Sequence, residues 1–125
     1  MSTDCRSDPA ALGSFGEDFA AAYVERCLGW RVVERNRRSR YGEIDLIAEN
    51  AREFVFIEVK TRRSLAFGEP LHAVTSLKLA RLVAQADVYL ARRNMPADWT
   101  VALDVIGLVV RGGLVTSIDH ARVYP

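Results

Sequence analysis

Apolar and polar residues alternate in two runs near the middle of the chain, residues 42–49 and 54–60, with a short polar break between them. A period of two belongs to a half-buried strand, and two such runs around a short break predict a hairpin. In the second run Val55, Ile57 and Val59 share one side, while Phe54, Phe56, Glu58 and Lys60 share the other. In the first run Glu43, Asp45 and Ile47 are expected opposite Ile44, Leu46 and Ala48. A turn centred between Ala51 and Arg52 sets Asp45 directly across from Glu58, with Cβ atoms roughly 4.5–5.5 Å apart. A slip of one residue would remove that pairing.

Other periods appear on either side. Over residues 13–28, Phe19, Tyr23 and Cys27 join Ala20, Val24 and Leu28 in a wide helical stripe, and Gly29 stands just past its end. Ser14 and Glu17 have the spacing of a capping box at its start. Residues 30–35 predict a short strand with Trp30, Val32 and Glu34 on one side. Residues 64–74 hold Gly68, Pro70 and His72 and predict a loop. Thr75 or Ser76 can cap a second helix running to about residue 93, with Leu79, Leu82, Val83, Ala86 and Leu90 as its buried stripe. Residues 99–110 alternate again, and Gly112-Gly113 predicts a turn into a last strand, residues 114–118. This order predicts an α/β domain, a mixed central sheet flanked by helices. Residues 13–125 are expected to form that single domain behind a mobile tail, residues 1–12.

Composition narrows the picture. At 125 residues the chain is long enough for one core without staples. Its two cysteines, Cys5 and Cys27, have neither metal nor redox spacing. A polar start and the lack of a long apolar run point to a cytoplasmic protein without a membrane span. A net charge of +1 gives no overall attraction to nucleic acid, so the distribution of charge decides. Arg35, Arg37, Arg38 and Arg40 crowd into six residues just ahead of the acidic hairpin. They read either as a solvated loop or as phosphate contacts beside a site.

The chemistry centres on Asp45, Glu58 and Lys60. Two carboxylates so close repel unless a cation or proton lies between them. Oxygen ligands at this spacing suit Mg²⁺, and a lysine beside them suits a phosphate substrate. An ordinary ion pair on a solvated face is the plainer reading. On the second helix, Lys78 and Arg81 are candidates for phosphate contact. Gln85 and Tyr89 read as the polar flank of an amphipathic helix.

Asp45 followed by Glu58-Val59-Lys60 resembles the PD-(D/E)xK nuclease signature. The longer words Gly42-Glu43-Ile44-Asp45-Leu46-Ile47 and Phe56-Ile57-Glu58-Val59-Lys60-Thr61-Arg62 resemble the YraN family of small bacterial proteins, over about residues 16–106. The resemblance implies a restriction-endonuclease-like fold, related to archaeal Holliday junction resolvases. It implies metal-dependent hydrolysis of nucleic-acid phosphodiesters, DNA foremost, with branched or structured DNA of repair or recombination as substrates. A nucleic-acid-binding module of the same fold without turnover is the alternative. Asp45 and Glu58 would hold Mg²⁺ or Mn²⁺ with the Val59 carbonyl as a third ligand, and Lys60 would position or activate water. Glu17 matches a helix glutamate beside the metal in related nucleases, so it reads as a holder of metal-bound water as well as a cap. Arg37, Arg38, Arg40, Arg62, Lys78 and Arg81 would contact nucleic acid. Ile44 stands where the signature has its nominal proline. Gln85-x₃-Tyr89 resembles a pair that some such nucleases place beside their site. Asp104 matches an aspartate of the family and is expected to support arginines or a helix. Symmetric cutting of a branch would favour a homodimer, with the apolar run at residues 108–110 as its candidate surface.

Overall fold

The computed structural model of the chain describes residues 9–63 and 76–124. The elements run α1 (Pro9–Arg26), β1 (Arg31–Ser39), β2 (Gly42–Asn50), β3 (Glu53–Arg62), α2 (Ser76–Arg93), β4 (Thr100–Arg111) and β5 (Leu114–Tyr124). The strands form one sheet in the order β1-β2-β3-β4-β5. Neighbours are antiparallel except β3 and β4, which are parallel and joined through α2. A parallel pair needs such a crossover, because a tight turn can join only antiparallel strands. The result is the mixed sheet with flanking helices of a restriction-endonuclease-like domain. Expectations for Cys5, the loop at residues 64–74, His72 and Thr75 fall outside the described residues. No described helix is long and apolar enough to cross a membrane.

The central strand explains the two-sided core. Val55, Ile57 and Val59 of β3 pack with Ala20, Ala21 and Val24 of α1. Phe54 and Phe56, at the intervening positions, pack with Leu82, Ala86 and Tyr89 of α2. Both faces of β3 are covered, so both sets of alternate residues are apolar until Glu58. The small residues of α1 let it lie close to the sheet. A Cβ at Gly16 would overlap the Thr61 side chain on β3.

Several boundaries differ from the sequence expectation. α1 begins at Pro9, not at residue 13. Proline is well suited to a first turn, where its missing N–H would be unpaired in any case. Ser14 therefore lies inside the helix and makes no capping box. At the other end Trp30 N–H reaches Val24 O at 3.1 Å around Gly29, whose φ of 72° suits glycine there. Cys27 is exposed just beyond the helix and does not extend its buried stripe. β1 runs through Ser39, so most of the arginine run is strand and not loop. Strand pairing with β2 supplies the order that the polar sequence hid. β5 continues to Tyr124, well past residue 118. Leu108, Val109 and Val110 are buried within β4, which removes that run as a dimer surface. Gln85 and Tyr89 are also buried, so they are no solvated flank.

Candidate metal centre

The site grows from a fork between β2 and β3. Their ladder runs from Asn50↔Glu53 to Leu46↔Ile57, the register that the hairpin pattern predicts. Past that point Asp45 Oδ2 accepts the Val59 N–H at 2.8 Å, so a side chain takes the place of a ladder bond. On its other side β2 pairs with β1 through Arg35↔Leu46 and then Arg37↔Ile44. Asn36, between those two arginines, has a φ of 54°, a left-handed conformation that asparagine tolerates better than most residues. The regular alternation of β2 breaks here. Ile44 and Ile47 both join the α2 side of the core, while Leu46 and Ala48 join the α1 side. Ile47 thus does not share a side with Asp45, which reaches toward α1.

The irregularity gathers three carboxylates. Oxygen atoms of Glu17 on α1 and of Glu43 and Asp45 on β2 lie within 4.8 Å of one another. With its amide nitrogen turned toward them, Asn36 donates to Glu17 Oε1 at 2.9 Å and to Glu43 Oε1 at 3.1 Å. Burial raises the Glu17 pKa above its ordinary value, helped by the Glu43 charge. Asp45 is only 9% exposed. Burial, followed by the nearby Glu58 charge, pushes its pKa up to about 7 against the opposing Val59 hydrogen bond. Such groups release their repulsion by taking up protons or a cation. Three clustered hard oxygen donors fit Mg²⁺ or Mn²⁺.

Glu58 and Lys60 share a side, as the alternation predicts, and pair at 3.1 Å. Lys78 of α2 stands 3.9 Å from the same carboxylate oxygen. Glu58 is outside the three-carboxylate group, though its charge reaches Asp45. Burial disfavours charge on Lys60. Its hydrogen bond with Lys78 and the attraction of Glu58 outweigh that and raise its pKa. Lys78 is pushed down, by burial and then by Lys60.

Of the arginines expected at the interface, Arg37 pairs with Glu34 and Arg38 with Glu43, each at 3.0 Å. Arg40 donates to the Tyr41 hydroxyl at 2.9 Å, and its guanidinium lies 5.0 Å from that ring's centroid. Arg62 and Arg81 are exposed. Sequence reasoning missed Glu43 as a ligand candidate, although it stands two positions from Asp45 on one strand. It gave Asn36 no role in the site: asparagine tolerates a left-handed backbone, but the surrounding basic run gives no sign that one is needed there. His120 and Arg122 were missed as well. Both hold Asp104, which is 2% exposed: His120 Nε2 lies 2.7 Å from Oδ2, and Arg122 Nε donates to Oδ1 at 2.9 Å. Asp104 is thus the structural support for an arginine that its burial called for.

Residues 16–108 match the family described as "Uncharacterised protein family UPF0102". A UPF0102 protein of Chloroflexus aurantiacus is 45% identical over 109 residues, covering 87% of this chain and 88% of the relative. One of Rhodococcus jostii is 44% identical over 113 residues, covering 90% and 93%. The chain belongs to the UPF0102 family. This is the YraN group that the two strand words resemble. A more distant UPF0102 protein, of Geobacter sulfurreducens, is 41% identical over 109 residues, covering 87% of this chain and 84% of its own. The UPF0102 match takes in Glu17, Asn36, Glu43, Asp45, Glu58, Lys60 and Lys78, whereas His120 and Arg122 lie beyond it.

Proposed function

We propose that this UPF0102 protein is a metal-dependent nuclease that hydrolyses phosphodiester bonds of nucleic acid, DNA foremost, with branched or structured DNA as its substrate. The observation that carries this reading is the grouping of Glu17, Glu43 and Asp45 within 4.8 Å at the β2–β3 fork, beside the Glu58–Lys60 pair. A cluster of partly buried carboxylates is costly for a fold to maintain and repels phosphate, so it needs a cation to be useful. Asp45 is the anchoring ligand in this reading. Glu17 and Glu43 complete the oxygen set or hold water bound to it, and Glu58 and the Val59 carbonyl are the further ligands. When bound there, Mg²⁺ or Mn²⁺ supplies Lewis-acid polarisation of the phosphate and a more acidic water. Lys60, kept charged by Glu58 and Lys78, balances charge that grows on the phosphate oxygens and orients the attacking water. Arg37, Arg38, Arg40, Arg62 and Arg81, together with Lys78, hold the phosphate backbone.

The test is cleavage of labelled single-stranded, duplex, flapped and four-way-junction DNA, and of RNA, with Mg²⁺ or Mn²⁺. Asp45→Ala and Glu58→Ala run beside the wild type. We expect cutting by the wild type only, while both variants keep or strengthen nucleic-acid binding as negative charge is removed. Binding without cutting on every substrate and with both metals would replace the nuclease with a binding module of the same fold.

A further inference from the structure

On the α2 side of the same sheet edge, a cleft of about 440 Å³ opens between the β1–β2 turn and α2. Arg37, Arg38, Arg40 and Arg92 line it, and no carboxylate does among the described residues. Glu34 and Glu43 pair with two of these arginines from outside the lining and leave its walls net positive. Tyr41 also lines it and is 38% exposed, the one aromatic among the large exposed hydrophobic side chains of the described residues. Gln85 and Tyr89 line it from the helix. Gln85 is 5% exposed, and its Nε2 donates to Tyr41 O at 2.9 Å, which ties the turn to α2. Its Oε1 and the Tyr89 hydroxyl are buried without a hydrogen-bond partner among the described residues. Buried polar atoms normally have partners, and two without any on one cleft suggest an absent ligand.

We propose that this cleft takes one unpaired nucleotide of a strand whose neighbouring phosphate reaches the carboxylates once a cation is bound there. The proposal rests on the nuclease reading and narrows its substrate to nucleic acid with a single-stranded segment. Cations alone would take any anion. The Tyr41 ring, with the Arg40 guanidinium 5.0 Å from its centroid, offers a base an aromatic stacking partner beside a cation. Gln85 Oε1 is an acceptor, so it repels a bare phosphate and asks for an N–H, which the Watson–Crick edge of every unpaired base provides. Arg37 lies over the Tyr89 ring, 5.5 Å from its centroid; a base edge entering here would displace it toward the phosphate. The volume falls in the range of roughly 300–1,000 Å³ typical of small-ligand pockets, enough for a nucleotide and too small for paired duplex. Continuity with the carboxylates comes from one strand. Ile44 lines the cleft, and Glu43 and Asp45 on either side of it, each about 3.3 Å along the chain, belong to the carboxylate group.

The test uses the full chain in EDTA, so that no cleavage enters the readout. Fluorescence anisotropy would follow a single-stranded 10-mer, a blunt duplex and the same duplex with an overhang. Variants are Tyr41→Ala and Arg92→Ala, with Arg52→Ala as a charge control on the turn at the other end of β2. We expect Tyr41→Ala and Arg92→Ala each to weaken binding of single-stranded and overhang DNA about tenfold, with blunt-duplex binding, melting temperature and Arg52→Ala unchanged. Free deoxyadenosine monophosphate should compete where equimolar inorganic phosphate does not. Competition only at concentrations far above that of the 10-mer assigns the site to a strand, and competition at equal concentration assigns it to free nucleotides and overturns the strand proposal. Equal competition by phosphate, or equal losses on blunt duplex, would also overturn it. Because the assay needs no metal, the cleft can fail while metal-dependent cutting stands. It can equally hold when cutting is absent.

Discussion

At the residue scale, Asp45 carries two demands that pull against each other. The fold buries it and spends its oxygen on the Val59 N–H, which favours the anion, yet burial and Glu58 favour the acid and win, leaving its pKa at about 7. The sign of the consequence for stability is fixed. A carboxyl whose folded pKa exceeds its unfolded value binds more protons when folded, so stability falls as pH rises from about 4 to 7 and stays low above that. With Asp45 raised from 3.8 to about 7, the penalty at pH 8 is ~4 kcal/mol as an upper bound. Asp45→Asn keeps an oxygen for Val59 and removes the charge. In EDTA it should raise the melting temperature at pH 8 by several degrees and change it little at pH 4.5. An equal effect at both values would mean that Asp45 is ionised throughout. Sequence alone picked out Asp45 and its partner strand, because an acid in an apolar alternating run is conspicuous. The alternation also set Glu43 on the side of Asp45, but it could not reveal that Asn36 departs from strand geometry on the neighbouring strand and bridges Glu43 to Glu17.

At the element scale, α1 is held against β3 by the absence of a side chain. The Cβ of an alanine at Gly16 would meet Thr61 Oγ1, with Thr61 Cβ at 3.0 Å and Cγ2 at 3.1 Å. These atoms sit on a β-branched side chain and cannot swing clear as the end of a lysine would. Gly16→Ala gains up to about 1 kcal/mol of helix propensity but meets an overpacking cost of about 1–3 kcal/mol. Overpacking wins, so the variant should melt lower, and Thr61→Ala added to it should restore most of the loss. Glu17 follows Gly16, so lifting α1 from β3 also moves a carboxylate out of the Glu17–Glu43–Asp45 group. If that group binds Mn²⁺ as proposed, the single variant should lose the stabilisation that Mn²⁺ gives the wild type, and full retention would show that α1 has not moved. The helices and the β2–β3 hairpin were legible because apolar residues repeat at the right period. β1 was half legible. Its second half, Arg35–Asn36–Arg37–Arg38–Ser39, carries no apolar alternation, and only its pairing with β2 makes it a strand.

At the scale of the whole molecule, two charge arrangements do different work. One is internal. Arg122 reaches from β5 to Asp104 on β4 and, through both of its terminal nitrogens at 3.1 Å, to Glu53 on β3, while His120 joins Asp104 to Tyr23 on α1. Asp104→Ala strips partners from a part-buried knot that ties three strands and a helix. Arg122 is 40% exposed and keeps Glu53 and water, so a loss of roughly 2–4 kcal/mol is expected, short of a fully buried break. The other arrangement faces outward. The chain's net charge of +1 would not attract nucleic acid, but arginines are concentrated along β1 and the neighbouring end of α2. Arg38 separates these two kinds of role. Its side chain is 85% exposed, and a surface pair such as Arg38–Glu43 adds little to stability, within about 0.5 kcal/mol. Arg38→Ala should leave the melting temperature in place. If Arg38 meets a phosphate, each lost contact should reduce the slope of log K against log salt by about 0.7–0.9. A duplex with a single-stranded overhang, titrated from 50 to 200 mM salt, would measure it. A melting temperature that falls with the slope unchanged would make Arg38 a strut for Glu43 and take it out of the interface. The opposite pattern would mean that this edge, and not the protein's overall charge, is what meets nucleic acid.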